Sequence, residues 1–315
     1  MTIGIAAFGP NAGRAVTRAL RAVERVGRGA IGGYVSFVAL TADGGVLRAE
    51  TQRGGVAALL TAAGELPAPL ATADFAGLMS SGPDRPEPLS QFTPADGQVG
   101  LVTGHRMPND YGAGDVRLND EVLALMRAGA SPAAAIRRVV AANPEADAGL
   151  IALDRQGRLG LGDTPHVAKR GDRGRARLLS PCGRVGVAVL HNAILPHRPL
   201  AKLAAEMALD AMLPPDRVEG WITVAAGARL VPAGAGCWLE VDAAGQVTLI
   251  GVDRPHLLRG RWSFGVGHEP ELRRDGRRIG SVLYEPYMII EDGVLRSADG
   301  QNSLRLPIRT DSGGR

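Results

Sequence analysis

Between Thr103 and Asp115 the chain gathers a hydroxyl (Thr103), an imidazole (His105), a guanidinium (Arg106), an amide (Asn109), two carboxylates (Asp110, Asp115) and a phenol (Tyr111), with Gly104, Gly112 and Gly114 between them. A hydroxyl and an imidazole two residues apart share one face of a continuing strand, so a base can converge with a nucleophile on a ligand. Thr103 and His105 are therefore candidate catalytic groups, with His105 the acid or base suited to neutral pH. Arg106 is the candidate for a substrate carboxylate or other anion, and Asn109 and Asp110 for hydrogen bonds to its polar groups. The same residues also make an ordinary turn, in which Arg106 pairs with Asp110 or Asp115 on the surface.

Two other segments carry chemistry. Leu78-Met79-Ser80-Ser81-Gly82-Pro83-Asp84-Arg85-Pro86 has no Gly-x-Ser-x-Gly elbow, so Ser81 reads as a turn or capping serine or as a substrate contact, not as a triad nucleophile. His191-Asn192 follows the apolar run Gly186 to Leu190 and offers a polar pair at a strand end. Loops at strand ends hold polar groups where a ligand can reach them, so these two segments and the Thr103 to Asp115 loop are expected to line one concave pocket. His191 and His197 lack metal-site spacing and carboxylate company, and no phosphate-cradling glycine motif is written. Neither a metal nor a cofactor is expected.

These groups must be positioned by elements that the apolar pattern outlines. Residues 2 to 8 suit a first strand, and Arg14 to Val26 has the spacing of an amphipathic helix. Tyr34 to Leu40 and Val46 to Gln52 form a hairpin over Asp43-Gly44-Gly45. The order repeats: Val99 to Val102 is a short strand feeding the polar loop, and Asn119 to Ala141 gives two helices broken at Ser131-Pro132. A second hairpin then turns over Asp154-Arg155-Gln156-Gly157. Gly186 to Leu190 is another buried strand and Leu200 to Met212 another amphipathic helix, whereas the Pro-rich 64–94 stretch and the basic Lys169 to Arg177 run read as loops. Helices interleaved with hairpins predict a layered α+β fold over residues 1–215. A smaller β-rich segment, 216–309, follows with a third hairpin at Trp238 to Val252, and then a disordered tail, 310–315.

Composition narrows the function classes. With 45% hydrophobic and 22% charged residues over 315, the chain is an ordinary globular protein. Its net charge is +4, but all of its basic residues except Lys169 and Lys202 are arginine and aromatics are only 4%, which suits neither phosphate tracking nor base stacking. Nucleic acid is not an expected partner. Without an apolar run of roughly eighteen residues or a signal-peptide pattern, no membrane is expected and the cytoplasm is the expected compartment. Cys182 and Cys237 stand alone and read as buried thiols.

Val99-Gly100-Leu101-Val102-Thr103, Pro108-Asn109, Tyr111-Gly112, the block Met126 to Ala135 and the hairpin at Asp154-Arg155-Gln156-Gly157 occur in an order that resembles an uncharacterised bacterial family of Ntn-hydrolase-like proteins. The hairpin segments also resemble the Thr-Val-Gly-Ala-Val-Ala-Leu-Asp strand of isoaspartyl peptidases. The resemblance covers residues 1 to 212 and implies an αββα sandwich. It also implies a Thr, Ser or Cys that becomes N-terminal, so that its own α-amine activates the side chain. Gln98 and Tyr34 stand where such a nucleophile would begin two of the strands, and neither can serve. Thr2, at the head of Thr2-Ile3-Gly4-Ile5 and exposed by loss of Met1, is the remaining candidate. The expected activity is hydrolysis of a C–N bond in a small amide substrate, with Arg106 allowing an anionic one; the other expectation is an unprocessed binding or accessory protein of the same fold, self-associating through hairpin edges.

Overall fold

The computed structural model describes residues 1–181, 183–213 and 218–311. The chain divides into two compact units, Met1–Pro214 and Pro215–Arg315. In chain order the first contains β1 (Thr2–Phe8), α1 (Ala12–Val26), β2 (Val35–Leu40), β3 (Val46–Thr51), α2 (Ala68–Ala71), β4 (Phe75–Ser81) and β5 (Ala95–Asp96). It continues with β6 (Gly100–Arg106), α3 (Leu118–Arg127), α4 (Pro132–Ala142), β7 (Ala148–Asp154), β8 (Leu159–Asp163), α5 (Pro165–Ala168), β9 (Arg173–Leu179), β10 (Gly186–Asn192) and α6 (His197–Met212).

These strands make two sheets, six-stranded β3-β2-β4-β1-β10-β9 and four-stranded β5-β6-β7-β8, and every pairing in them is antiparallel. Alternate residues of each strand face opposite ways. Ile3, Ile5 and Ala7 of β1 pack under α1 and α6 with Phe37, Leu78, Val187 and Val189. Ala6 and Phe8 point the other way and join Leu101, Ile151, Leu153 and Leu190, so the two sheets meet face to face. Val102, Ala148, Leu150 and Ala152 on the far side of the four-stranded sheet pack against α3 and α4. Each buried Ile, Leu, Val or Phe contributes about 1.5–3 kcal/mol, which holds these faces together.

The sheets approach closely at Gly4 of β1 and Gly104 of β6. A Cβ on Gly4 would lie 2.3 Å from the Gly104 carbonyl oxygen, so only glycine allows this approach. It sets the end of β6 directly against the start of β1.

The α+β expectation stands, but several element boundaries differ. The strand expected at Val99 to Val102 runs on to Arg106, placing Thr103 and His105 within β6. The supposed 64–94 loop contains β4, which pairs with both β1 and β2. Buried on both faces, β4 lacks the polar alternation that announces a strand. The basic run holds β9, where exposed Arg175 and Arg177 alternate with half-buried Ala176 and Leu178. His191 and Asn192 belong to β10 instead of following it. Ser131 does cap α4, its hydroxyl accepting from the Ala134 N–H at 3.4 Å.

The second unit contains β11 (Gly220–Ala225), β12 (Arg229–Pro232), β13 (Trp238–Val241), β14 (Val247–Val252) and β15 (Arg261–Gly265). It continues with β16 (Glu271–Arg274), β17 (Arg277–Val282), β18 (Tyr287–Glu291), β19 (Val294–Ala298) and β20 (Ser303–Thr310). They form one sheet, β11-β20-β17-β16-β13-β14-β12-β19-β18-β15, around Leu239, Ile250, Leu272, Met288, Ile290 and Leu306. Thr310, expected to begin a disordered tail, pairs with Gly280 in this sheet, and 312–315 lie outside the described residues. Cys237 is half-buried instead of buried, and Cys182 lies outside the described residues. No helix among the described residues is long and apolar enough to cross a membrane.

Candidate functional site

One end of the six-stranded sheet carries a row of polar side chains on the face toward the second sheet. Thr2 opposes Ser81 on one side and Asn192 on the other, and Asn192 opposes Arg173. One step beyond the β2–β4 register, Tyr34 stands opposite Ser81, its carbonyl accepting the Ser81 N–H at 3.4 Å. Direct antiparallel partners share a face. Tyr34, Ser81, Thr2, Asn192 and Arg173 therefore form one line across five strand positions that are far apart in sequence.

Thr2 is the centre of that line and is only 4% exposed. Its hydroxyl donates to Asn192 Oδ1 at 2.9 Å. Its Oγ1 also accepts the backbone N–H of Arg106, which the Gly4–Gly104 approach brings across from β6. Arg106 holds a left-handed backbone, φ 65°, as β6 ends. Around this point the field is positive: burial first, and then the guanidinium groups of Arg106, Arg85 and Arg170, hold the Met1 α-amine below its ordinary value, with Asp172 opposing. An amine here is biased toward its neutral form, the form that accepts a proton.

A cavity of about 150 Å³ opens beside Thr2, lined by Tyr34, Met79, Arg85, Pro86, Phe92, Arg106, Met107 and Asn109. Arg85 donates to Ser81 Oγ and lies over the Tyr34 ring, 5.7 Å from its centroid. Burial raises the Tyr34 hydroxyl above its ordinary value despite the opposing charge of Arg85, so the phenol stays protonated. Asn109 is fixed by donating to Gln91 Oε1 at 2.9 Å, which leaves its Oδ1 without a partner.

Behind the row is a buried ion network. His105 Nε2 and Asp163 Oδ1 are 2.8 Å apart, and Asp163 Oδ2 accepts from Arg173 Nη1 at 2.6 Å. His105 reaches Asp163 by lying across Gly149, where a Cβ would sit 2.1 Å from its Nε2. Burial pushes the Asp163 carboxyl up, but the hydrogen bonds and charges of His105 and Arg173 outweigh it and hold the group below its ordinary value.

The structure thus separates the residues that the sequence grouped. Thr2, Arg106 and Asn109 line the cavity, and Ser81 and Asn192 flank Thr2. Thr103 and His105 do share a face of β6, but each is engaged elsewhere. The fully buried Thr103 hydroxyl donates to the Leu78 carbonyl at 2.9 Å and braces the two sheets. Arg106 pairs with neither Asp110 nor Asp115; its Nε donates to Asp147 Oδ1 at 2.7 Å and its Nη2 to the other oxygen, a fork that neutralises it. Asp110 is a turn residue, its side chain accepting the Tyr111 N–H at 2.9 Å. His191 opposes Ile3 and so faces the helices, away from the cavity. Burial first, then the charge of His105, lowers His191 to about 4, against a backbone hydrogen bond at His197 that opposes the shift. Sequence reasoning placed Arg85 only within the Ser80 to Arg85 turn expected at the pocket and gave no role to Tyr34, Asp147, Asp163 or Arg173, since only strand register and sheet stacking bring them to Thr2.

Among the described residues no cluster of His, Cys, Asp and Glu has the make-up of a metal site. No curated protein matches the chain. Residues 227–303 match the family described as Domain of unknown function (DUF7259). Residues 2–221, which hold every group of the site, match another, and the chain belongs to that family: Domain of unknown function (DUF6963).

Proposed function

We propose that this protein hydrolyses a C–N bond in a small amide, with Thr2 as nucleophile once the Met1–Thr2 peptide bond is cut. The observation that carries the reading is Thr2 itself, heading the strand β1 with its hydroxyl held between the Arg106 N–H and Asn192 Oδ1 at a cavity wall. Two stacked antiparallel sheets with helices outside each support an Ntn-type αββα arrangement, in which this is the nucleophile's place.

In the proposed reaction the freed Thr2 α-amine takes the hydroxyl proton as Oγ1 forms a bond to the amide carbonyl carbon. The proton passes to the leaving nitrogen, the C–N bond breaks, and the amine departs. Water then attacks the ester on Thr2, releasing the acid and returning the proton to Oγ1. Asn192 orients the hydroxyl and the Arg106 N–H opposes charge on its oxygen, both held in place before substrate arrives.

One observation favours the second reading, an unprocessed binding protein of the same fold. Met1 Sδ accepts the Ala30 N–H at 3.1 Å, which gives the uncut chain its own anchor. Intact-mass spectrometry with an ammonia-release assay on small amides separates the two. Cleavage before Thr2 with turnover abolished by Thr2→Ala supports the hydrolase; a retained Met1 and no turnover overturn it.

A further inference from the structure

The groups lining the cavity beside Thr2 describe what would fill it. Of its two guanidinium groups, Arg106 is already neutralised by Asp147. Arg85 is not: it pairs with no carboxylate among the described residues, gives one nitrogen to the Ser81 hydroxyl, and has a buried Nε without an acceptor. Tyr34 next to it is fully buried, and its hydroxyl has no partner either. Leaving a buried donor unmade costs about 1–3 kcal/mol, and two such donors lie on one wall.

Elsewhere the wall calls for the opposite. Asn109 presents an unpartnered acceptor, its orientation set by Gln91. Met79, Pro86, Phe92 and Met107 are apolar and would reject a second charge. The 150 Å³ volume is the share of about five waters, so the occupant is short.

We propose that the cavity takes the monoamide of a short dicarboxylic acid, such as succinamate, with its free carboxylate on Arg85 Nε and the Tyr34 hydroxyl. Its methylene chain lies against Met79, Phe92 and Met107, and its amide N–H donates to Asn109 Oδ1, which leaves the amide carbonyl toward Thr2. The orientation at Thr2 rests on the hydrolase reading; the carboxylate site does not.

Binding and turnover are therefore measured separately on the full chain. Isothermal titration calorimetry with butyrate, which carries the single carboxylate and the methylene chain, should show binding, with the neutral butyramide weaker by about tenfold or more. Arg85→Met should weaken butyrate to a similar degree, and the near-isosteric Tyr34→Phe, which keeps the packing, by several fold. Absence of butyrate binding, equal binding of butyramide, or unchanged binding in both variants overturns the carboxylate site. Ammonia release is then compared for succinamate and butyramide. A kcat/KM higher for succinamate supports both readings. Equal values retire the carboxylate site and leave the hydrolase, whereas butyrate binding without ammonia release from either amide retires the hydrolase and leaves the carboxylate site.

Discussion

Asn192 Oδ1 accepts the Thr2 hydroxyl at 2.9 Å across the β1–β10 register, while the same Asn192 opposes Arg173 on its other side. Thr2 is thereby linked through one amide to β10, whose neighbour β9 supplies Arg173 to the His105–Asp163–Arg173 network. The hydroxyl has a single fixed direction because its acceptor belongs to a strand paired at seven positions, from Thr2–Asn192 to Phe8–Gly186.

Asn192→Leu should remove that direction without removing the nucleophile. In the amide-hydrolase assay we expect kcat to fall at least about tenfold with little change in KM, and Thr2→Ala to fall at least about a hundredfold. Thr2→Ser should retain turnover. Equal activity of Thr2→Ala and wild type would end the assignment.

Asp163 is the only carboxylate within reach of both His105 and Arg173 in the described network. Asp163→Asn leaves the half-buried Arg173 guanidinium without its counter-charge, and losing a hydrogen bond to a charged group costs about 1.5–3 kcal/mol. A urea-denaturation series should show the loss as a lower midpoint with an unchanged slope.

His191 makes stability depend on pH. The unfolded chain takes up its proton near 6.5, the folded chain near 4, so the fold favours the neutral ring. Stability from this group is full above about pH 6.5 and declines as pH falls toward 4, by roughly 3 kcal/mol in all. Thermal melts of wild type and His191→Leu between these values should diverge, the variant losing part of the acid-side slope.

The Gly4–Gly104 contact is tested by size alone. Gly4→Ala would press a methyl 2.3 Å from the Gly104 carbonyl oxygen, and overpacking of this kind costs about 1–3 kcal/mol. Because the contact also aligns the Arg106 N–H with Thr2, hydrolysis should fall more than stability does.

Much of the scaffold is legible in the sequence because period is local. Arg14 to Val26 and Ser131-Pro132 announce α1 and the start of α4, and Asp43-Gly44-Gly45 and Asp154 to Gly157 announce the β2–β3 and β7–β8 hairpins. β4 and β9 are not legible, the first because both faces are buried and the second because its arginines disguise alternation as a charged loop. The candidate site divides in the same way. Arg106 and Asn109 could be singled out from residue type and neighbours, and Thr2 only through the family resemblance. The partners of Thr2 could not, since residues 34, 81, 2, 192 and 173 become a line only when four strand pairings have fixed their register.

β9 ends the six-stranded sheet, and its exposed Arg175 and Arg177 stand where another strand would have to lie down. An incoming copy of the same edge would bring like charges face to face, an unfavourable encounter at low ionic strength that salt relieves. The residue type that fills the chain's basic composition thus acts along this edge against fibre-like growth of the sheet.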